Sequence, residues 1–321
     1  MLVHVIRGLR RFALCSCAML LSLLLVQLPA YVRSECAEAG HKTQIPKDTT
    51  SAQAQSWFSV HKVADRVWRI DDHGGDNVYL VEGDDAALLI DAGTGVADLL
   101  TCVQSLTALP VILVNTHGHP DHSGGDFQFP EVYAHPAEFD AITAFCSMQV
   151  HLDAIERSQQ ESPELAHVLL DPPDSITIPV LLPIREGFVF NLGGRRLEVL
   201  ETPGHTRGSV CLLDSANGLL FAGDNNNTVA WLFLEECTPL EQYHQALQRL
   251  KKRSGEFTVL LPGHGDPLDA GFIDEQIACA QSILSEACTG EPYKTFVDYA
   301  RSCTYKRSTI AFNPEKLHIA R

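Results

Sequence analysis

The chain has 321 residues, enough for one large domain or two small ones. Its 40 acidic side chains outnumber 24 basic ones, for a formal net charge of −16. That balance argues against a nucleic-acid partner, whose phosphates call for a basic face, although a net charge can hide a local basic patch.

The chain begins with a targeting pattern. Arg7, Arg10 and Arg11 precede an apolar run over residues 13–28, which is short for a membrane span. Pro29-Ala30 or Arg33-Ser34 offers a cleavage site. Residues 1–34 are therefore predicted to be a signal peptide, and the protein to be exported, secreted or periplasmic. The alternative is an uncleaved N-terminal anchor, and only then is the membrane a partner. Glu35, not a small residue, precedes Cys36, so a lipid-attachment box is missing. Residues 35–56 are polar and read as a mobile leader. The ten cysteines include no CxxC pair. An even set outside a reducing compartment can form disulfides, but pairing cannot be read from sequence. Cys102 and Cys211 lie in apolar stretches and read as buried thiols.

Strand signals follow at 67–70, 78–81 and 87–90, separated by turns at Gly74-Gly75-Asp76 and Gly83-Asp84-Asp85. A helix is predicted over 96–106 and a buried strand over 111–114. That strand runs into Thr116-His117-Gly118-His119-Pro120-Asp121-His122-Ser123. A lone histidine in such a loop would read as a surface turn. Three imidazoles and a carboxylate on a tight loop at a strand end are instead a metal-ligand set. A short strand over 132–135 comes next. Residues 136–170 form a helical insertion with Phe139, Ile142, Phe145, Met148, Leu152 and Ile155 at helical spacing. It either walls a substrate pocket or packs on the sheet flank. His135, His151 and His167 in this region read as ordinary histidines.

The second half repeats the layout of a strand running into a small-residue turn. Strands near 188–190 and 196–200 lead to Thr202-Pro203-Gly204-His205. Those at 210–213 and 219–222 lead to Gly223-Asp224, and 257–261 leads to Pro262-Gly263-His264. A helix before the last strand is predicted to start with Thr238 as N-cap, Pro239 in the first turn and Glu241 closing a capping box. A further amphipathic helix covers 274–287. Five histidines and two aspartates at strand ends are more than one metal needs.

This set resembles the metallo-β-lactamase superfamily of hydrolases, over roughly residues 57–268. The resemblance implies an α/β fold of αββα type, two mixed sheets with helices on the outer faces, and residues 57–321 as one catalytic domain. It implies that His117, His119 and His205 hold a first metal. Asp121, His122 and His264 hold a second, and Asp224 bridges the two. Asp91 matches the family's early aspartate and supports the ligand loop from behind. Zn²⁺, two per chain, is the expected cofactor, while imidazole and carboxylate also accept iron or manganese. Two such metals share a hydroxide made from water at neutral pH, and Asp121 faces that nucleophile and can assist proton transfer.

The relatives differ at these positions. Flavodiiron oxidoreductases place glutamate where His119 stands. The main zinc β-lactamase class lacks His122 and has cysteine in place of Asp224. The segments 202–209 and 221–224 look most like glyoxalase-II-like, thioesterase, lactonase and phosphodiesterase members, although the C-terminus lacks the basic glutathione-binding pattern. The expected reaction is hydrolysis of a small-molecule ester-type bond, a thioester, carboxylic ester or lactone. A phosphodiester or a β-lactam is the alternative within the fold. A catalytically silent binding module is a different class, and the filled ligand positions speak against it. Asn225, with Asn226 and Asn227, is either a substrate contact or part of a polar loop that stabilises its own turn, and Trp231, with Phe233, either lines an apolar pocket or packs. His73 and Asn77 flank a glycine turn placed over the metals. Oligomeric state is not legible.

Overall fold

A computed structural model describes residues 56–171, 175–295 and 298–319. The targeting segment, Cys15, Cys17 and Cys36, and the leader up to residue 55 lie outside the described residues. Among the described residues no helix is long and apolar enough to cross a membrane.

The first sheet contains β1 (Phe58–Ala64), β2 (Val67–Asp72), β3 (Asn77–Glu82), β4 (Ala87–Ile90), β5 (Val111–Val114), β6 (Glu131–Ala134) and β7 (Val180–Pro183), side by side in chain order. The pairs from β1 to β4 are antiparallel, and those from β4 to β7 are parallel. The second sheet uses β8 (Val189–Asn191), β9 (Arg196–Glu201), β10 (Val210–Asp214), β11 (Leu219–Gly223), β13 (Val259–Pro262) and β14 (Leu268–Asp269), in the order β14-β13-β11-β10-β9-β8. Only β11 and β13 run parallel in it.

Alternation along the strands builds the layers. Leu88 and Ile90 of β4 face the second sheet and pack with Val199, Leu212 and Phe221 in the central core. Ala87 and Leu89 point the other way, against Leu99 and Val103 of α1 (Leu99–Leu106). On the outer face of the second sheet, Leu213, Leu220 and Leu260 pack against Leu250 of α5 (Leu240–Lys252) and against Phe272 and Ile273 of α6 (Phe272–Leu284). This is the expected α/β/β/α sandwich. Truncating one of these central leucines to alanine costs about 2–5 kcal/mol.

A third sheet was not legible. β12 (Val229–Leu232), β15 (Glu291–Lys294), β16 (Tyr299–Tyr305) and β17 (Ser308–Phe312) order as β12-β17-β16-β15. Leu232, Ile310 and Phe312 of this sheet close over Leu240, Leu247 and Ile283 of α5 and α6. A disulfide, Cys288–Cys303, ties the end of α6 to β16 across 15 residues. A loop of that length contributes about 3 kcal/mol by the chain-entropy argument. Cys102, Cys146, Cys211, Cys237 and Cys279 are free.

Several boundaries differ from expectation for identifiable reasons. α1 starts at Leu99, not 96. Val96 and Ala97 stay extended because they pair with Leu170 and Leu169, and Asp98 caps the helix by accepting from Thr101 N. The capping box on α5 does not form. Its first amides, of Leu240 and Glu241, donate to the carbonyls of Lys316 and Leu317, and Thr238 Oγ1 turns to the Gly204 carbonyl. The insertion is two helices, α3 (Phe139–Phe145) and α4 (Met148–Glu161), broken where Ser147 caps the second. Ala154 and Ile155 of α4 pack on Trp57, Val96 and Leu165, so α4 covers the flank.

Candidate metal centre

Strand ends deliver every donor. β5 runs through Asn115 and Thr116 to His117 and His119, and Pro120 then opens the short helix α2 (Pro120–Ser123), which carries Asp121 and His122. The loops after β9, β11 and β13 bring His205, Asp224 and His264. Two glycines make the approach possible. Gly223 has φ +50°, and a Cβ there would lie 2.6 Å from Thr116 Oγ1. A Cβ on Gly263 would lie 2.2 Å from Asp224 Oδ1.

Three imidazole nitrogens meet in the first pocket. His119 Nδ1 lies 3.1 Å from His117 Nε2 and 2.8 Å from His205 Nε2. The far nitrogen of each ring is already engaged. His117 Nδ1 contacts Thr116 Oγ1, His119 Nε2 contacts Glu236 Oε1, and His205 Nδ1 contacts the Trp231 carbonyl. A carboxylate and a carbonyl only accept, so His119 and His205 donate from those far nitrogens. In the neutral rings their near nitrogens hold lone pairs that face each other, so a proton or a cation must sit between them. A cation satisfies that arrangement.

The second pocket mixes imidazole and carboxylate. Asp121, His122 and His264 place donor atoms within 4.8 Å of one another, as do His117, His122 and Asp224. Asp224 stands between the pockets. Its Oδ1 is 3.2 Å from His122 Nε2, and its Oδ2 is 3.3 Å from His264 Nε2 and 3.6 Å from His205 Nε2. Asp121 Oδ2 is 3.4 Å from His264 Nε2. His117, His119, His122 and His205 are buried, whereas the side chains of Asp121 and His264 are 24% and 21% exposed. Asp121 and His264 are therefore the donors that reach solvent.

Asp91 lies behind the His117 loop. Its backbone is left-handed, φ +65°, in a buried position, a conformation that costs on the order of 1 kcal/mol or more. It accepts from Thr116 N at 2.7 Å and Thr116 Oγ1 at 2.8 Å, and His122 Nδ1 lies 3.0 Å away. One carboxylate thus orients both the loop and a ligand ring.

Proton affinity differs from donor to donor: burial opposes charge on His119, but Glu236, Asp121 and Asp224 raise it above the usual imidazole value. Burial, then His122 and His119, hold His117 well below the usual imidazole range. Burial and His119 bring His205 down to about 4. Burial also opposes charge on His264 and His122, but the aspartates outweigh it. Asp224 and Asp121 lift His264 to about 10, and with Asp91 they raise His122 well above its ordinary value. Burial likewise disfavours the charged carboxylates, yet His264 and His122 hold Asp224 well below the carboxylate range, and His122 and His264 do the same for Asp121.

Other candidates are placed differently. Asn225, Asn226 and Asn227 are buried, and their side chains bind the protein itself. Asn225 Oδ1 accepts from His205 N, Asn226 Nδ2 donates to Gln276, and Asn227 Oδ1 accepts from His264 N. Asn225 and Asn227 shape the ligand loops, as the self-stabilising turn would have it. Trp231 acts through its carbonyl on His205, while its ring leans on Phe233 at 5.2 Å. His73 turns to Ser162 and stacks on Trp57. Asn77 donates to the carbonyls of Pro262 and Gly265 and so braces the His264 turn.

Two important carboxylates were missed. Glu138, buried at the start of α3, accepts from Gly118 N at 2.9 Å and from Gly208 N at 2.6 Å, which joins two ligand loops. Glu236 contacts His119 at 2.7 Å across 117 residues. Neither carries a local pattern, because each partner is set by the fold. Asp76, also buried, lies 3.9 Å from His122 Nδ1, and burial raises it well above the carboxylate range.

Comparison with known proteins fits this geometry. The family model of the metallo-beta-lactamase superfamily matches residues 71–264. The chain belongs to that superfamily. Acyl-coenzyme A thioesterase MBLAC2 of Homo sapiens is 28% identical over 263 residues, 76% of this chain and 92% of the relative. Hydroxyacylglutathione hydrolase of Xanthomonas campestris pv. campestris (strain B100) is 29% identical over 212 residues, 65% of this chain and 69% of that one. Among solved structures, sec-alkylsulfatase Pisa1 from Pseudomonas sp. superposes with a TM-score of 0.53 at 17% identity, covering 72% of this chain and 42% of its own. That likeness shows the fold. A metallo-β-lactamase-superfamily chain with these relatives and this donor set is a metal-dependent hydrolase.

A pH effect on loading follows. In metal-free protein His264, at about 10, holds its proton at neutral pH, and a bound cation must displace it. Metal affinity is expected to rise as pH increases toward that value and to fall as pH drops. Adding zinc to metal-free protein near pH 7 in weak buffer should release protons in step with binding. Zinc uptake without proton release contradicts the charge state assigned to the second pocket.

Proposed function

We propose that the protein is an exported dinuclear zinc hydrolase that cleaves a thioester or a related small-molecule ester. The observation that carries this reading is Asp224, whose two oxygens reach toward different imidazoles and so join two donor sets. His117, His119 and His205 would hold one zinc. Asp121, His122 and His264 would hold the other, with Asp224 shared. Zinc pairs so held lower the pKa of water and polarise a carbonyl oxygen.

The chain's own residues supply the rest. Asp91, Glu138 and the three asparagines fix the ligand loops, so the donors need no rearrangement. Asp121, ionised and at the open side, can accept a hydrogen bond from a water placed beside it and so orient that water. Among the described residues of the site, no step needs a nucleophilic serine or cysteine. Cys211 and Cys237 are buried, and burial pushes their thiols up, so they are poor nucleophiles.

The bond choice rests on the relatives. An acyl-coenzyme A and a hydroxyacylglutathione are both thioesters, and two relatives carry those names. The acidic chain speaks against polyanionic nucleic acid. The reading of residues 1–34 as a signal, together with the Cys288–Cys303 disulfide, supports export, since disulfides persist in oxidising compartments.

A panel of acyl-coenzyme A thioester, lactone, carboxylic ester, phosphodiester and cephalosporin decides the bond. The highest kcat/KM is expected for the thioester. A cephalosporin value above every ester by about a hundredfold would sink this order, since the pocket and not the metals selects the electrophile. For export, N-terminal sequencing of native protein should begin within residues 31–37. An intact Met1 on soluble cytoplasmic material contradicts cleavage.

A further inference from the structure

We propose that Glu236, held in place by a strap from the C-terminal segment, is the positioning residue that sets the tautomer and aim of the metal ligand His119. The inference rests on the metal reading above and adds a residue outside the ligand set. His119 offers Nδ1 to the first pocket, facing His117 and His205. Its Nε2 points out of the pocket, 2.7 Å from Glu236 Oε1. A carboxylate can only accept, so this contact keeps a proton on Nε2 and makes Nδ1 the nitrogen that can offer its lone pair to a cation. Without Glu236 the ring is free to hold the proton on either nitrogen and to rotate. The carboxylate also makes the imidazole a stronger donor.

The segment that carries Glu236 is pinned on both sides. Lys316 Nζ donates to the carbonyls of Leu234 at 3.1 Å and Glu235 at 2.7 Å. The Lys316 carbonyl accepts from Leu240 N, so the same residue anchors the start of α5. Cys237 N donates to the Leu234 carbonyl, and Cys237 Sγ contacts the Trp231 carbonyl. Thr238 N donates to the Gly204 carbonyl, beside His205. The Glu236 segment is thereby registered against the loop of a second ligand of the same metal. Residues 313–319 therefore act on the site through backbone geometry, without touching a ligand.

The test is zinc affinity, read by competition with a chromogenic chelator on the full chain, with the visible spectrum of the cobalt-substituted protein as a second readout. Glu236→Ala should weaken zinc binding at the His117, His119 and His205 pocket by about tenfold to a hundredfold and alter the cobalt spectrum. Glu236→Gln, which keeps an acceptor oxygen, should recover part of that loss. Lys316→Met should move affinity in the same direction by less. Glu235→Ala, an exposed neighbour, should leave affinity unchanged. Circular dichroism melts confirm that each variant folds. Wild-type affinity and an unaltered cobalt spectrum in Glu236→Ala would overturn the proposal and leave the metal reading intact. A wild-type chain that binds no metal would overturn both.

Discussion

The site depends on ring nitrogens that, with the rings neutral, cannot satisfy one another. Three imidazole nitrogens converge at hydrogen-bonding distance in a buried pocket, and two of their rings are committed to donating from the opposite side. Buried acceptors without a donor are costly. A divalent cation removes the conflict, and Asp224 extends the same logic to a second pocket in which imidazoles hold protons against two carboxylates. The chemistry of the donors, more than any one distance, marks this as a metal centre.

The sandwich supplies the convergence. β4, β5, β11 and β13 are short, apolar and buried, and each ends where polar side chains begin. Parallel pairing of β4 with β5 and of β11 with β13 brings like ends together, so Asp91 sits beside the His117 loop and Asp224 beside the His264 loop. Gly223 and Gly263 let the chains pass where a side chain would collide. Buried carboxylates then lock the loops: Asp91 on Thr116, Glu138 on Gly118 and Gly208. The rigidity of the site comes from these amide contacts, made at a distance from the reacting groups.

The sequence shows what is local. The runs ending at Val114 and Ala222 announce themselves as strands, and the ligand residues follow within a few positions. The inward and outward faces of the sheets follow from alternation. What it hides is what depends on distant partners. Glu138 and Glu236 look like ordinary helix and loop acids until the fold brings an amide or an imidazole to them. Thr238, Pro239 and Glu241 make a sound capping signal, yet the carbonyls of Lys316 and Leu317 reach the helix amides first. The third sheet escapes notice because β16 is largely exposed and its buried positions, Ala300 and Cys303, break strict alternation. The asparagines after Asp224 look like a polar loop open to substrate. They are buried, and two of them, Asn225 and Asn227, accept from the amides of the His205 and His264 turns.

The shared role of Asp224 is the claim on which the rest stands, and elemental analysis tests it most directly. Purified wild-type protein should carry about two zinc ions per chain. Asp224→Ala, checked for native folding, should retain about one and lose nearly all hydrolysis. Full metal occupancy with normal turnover in that variant would contradict the account.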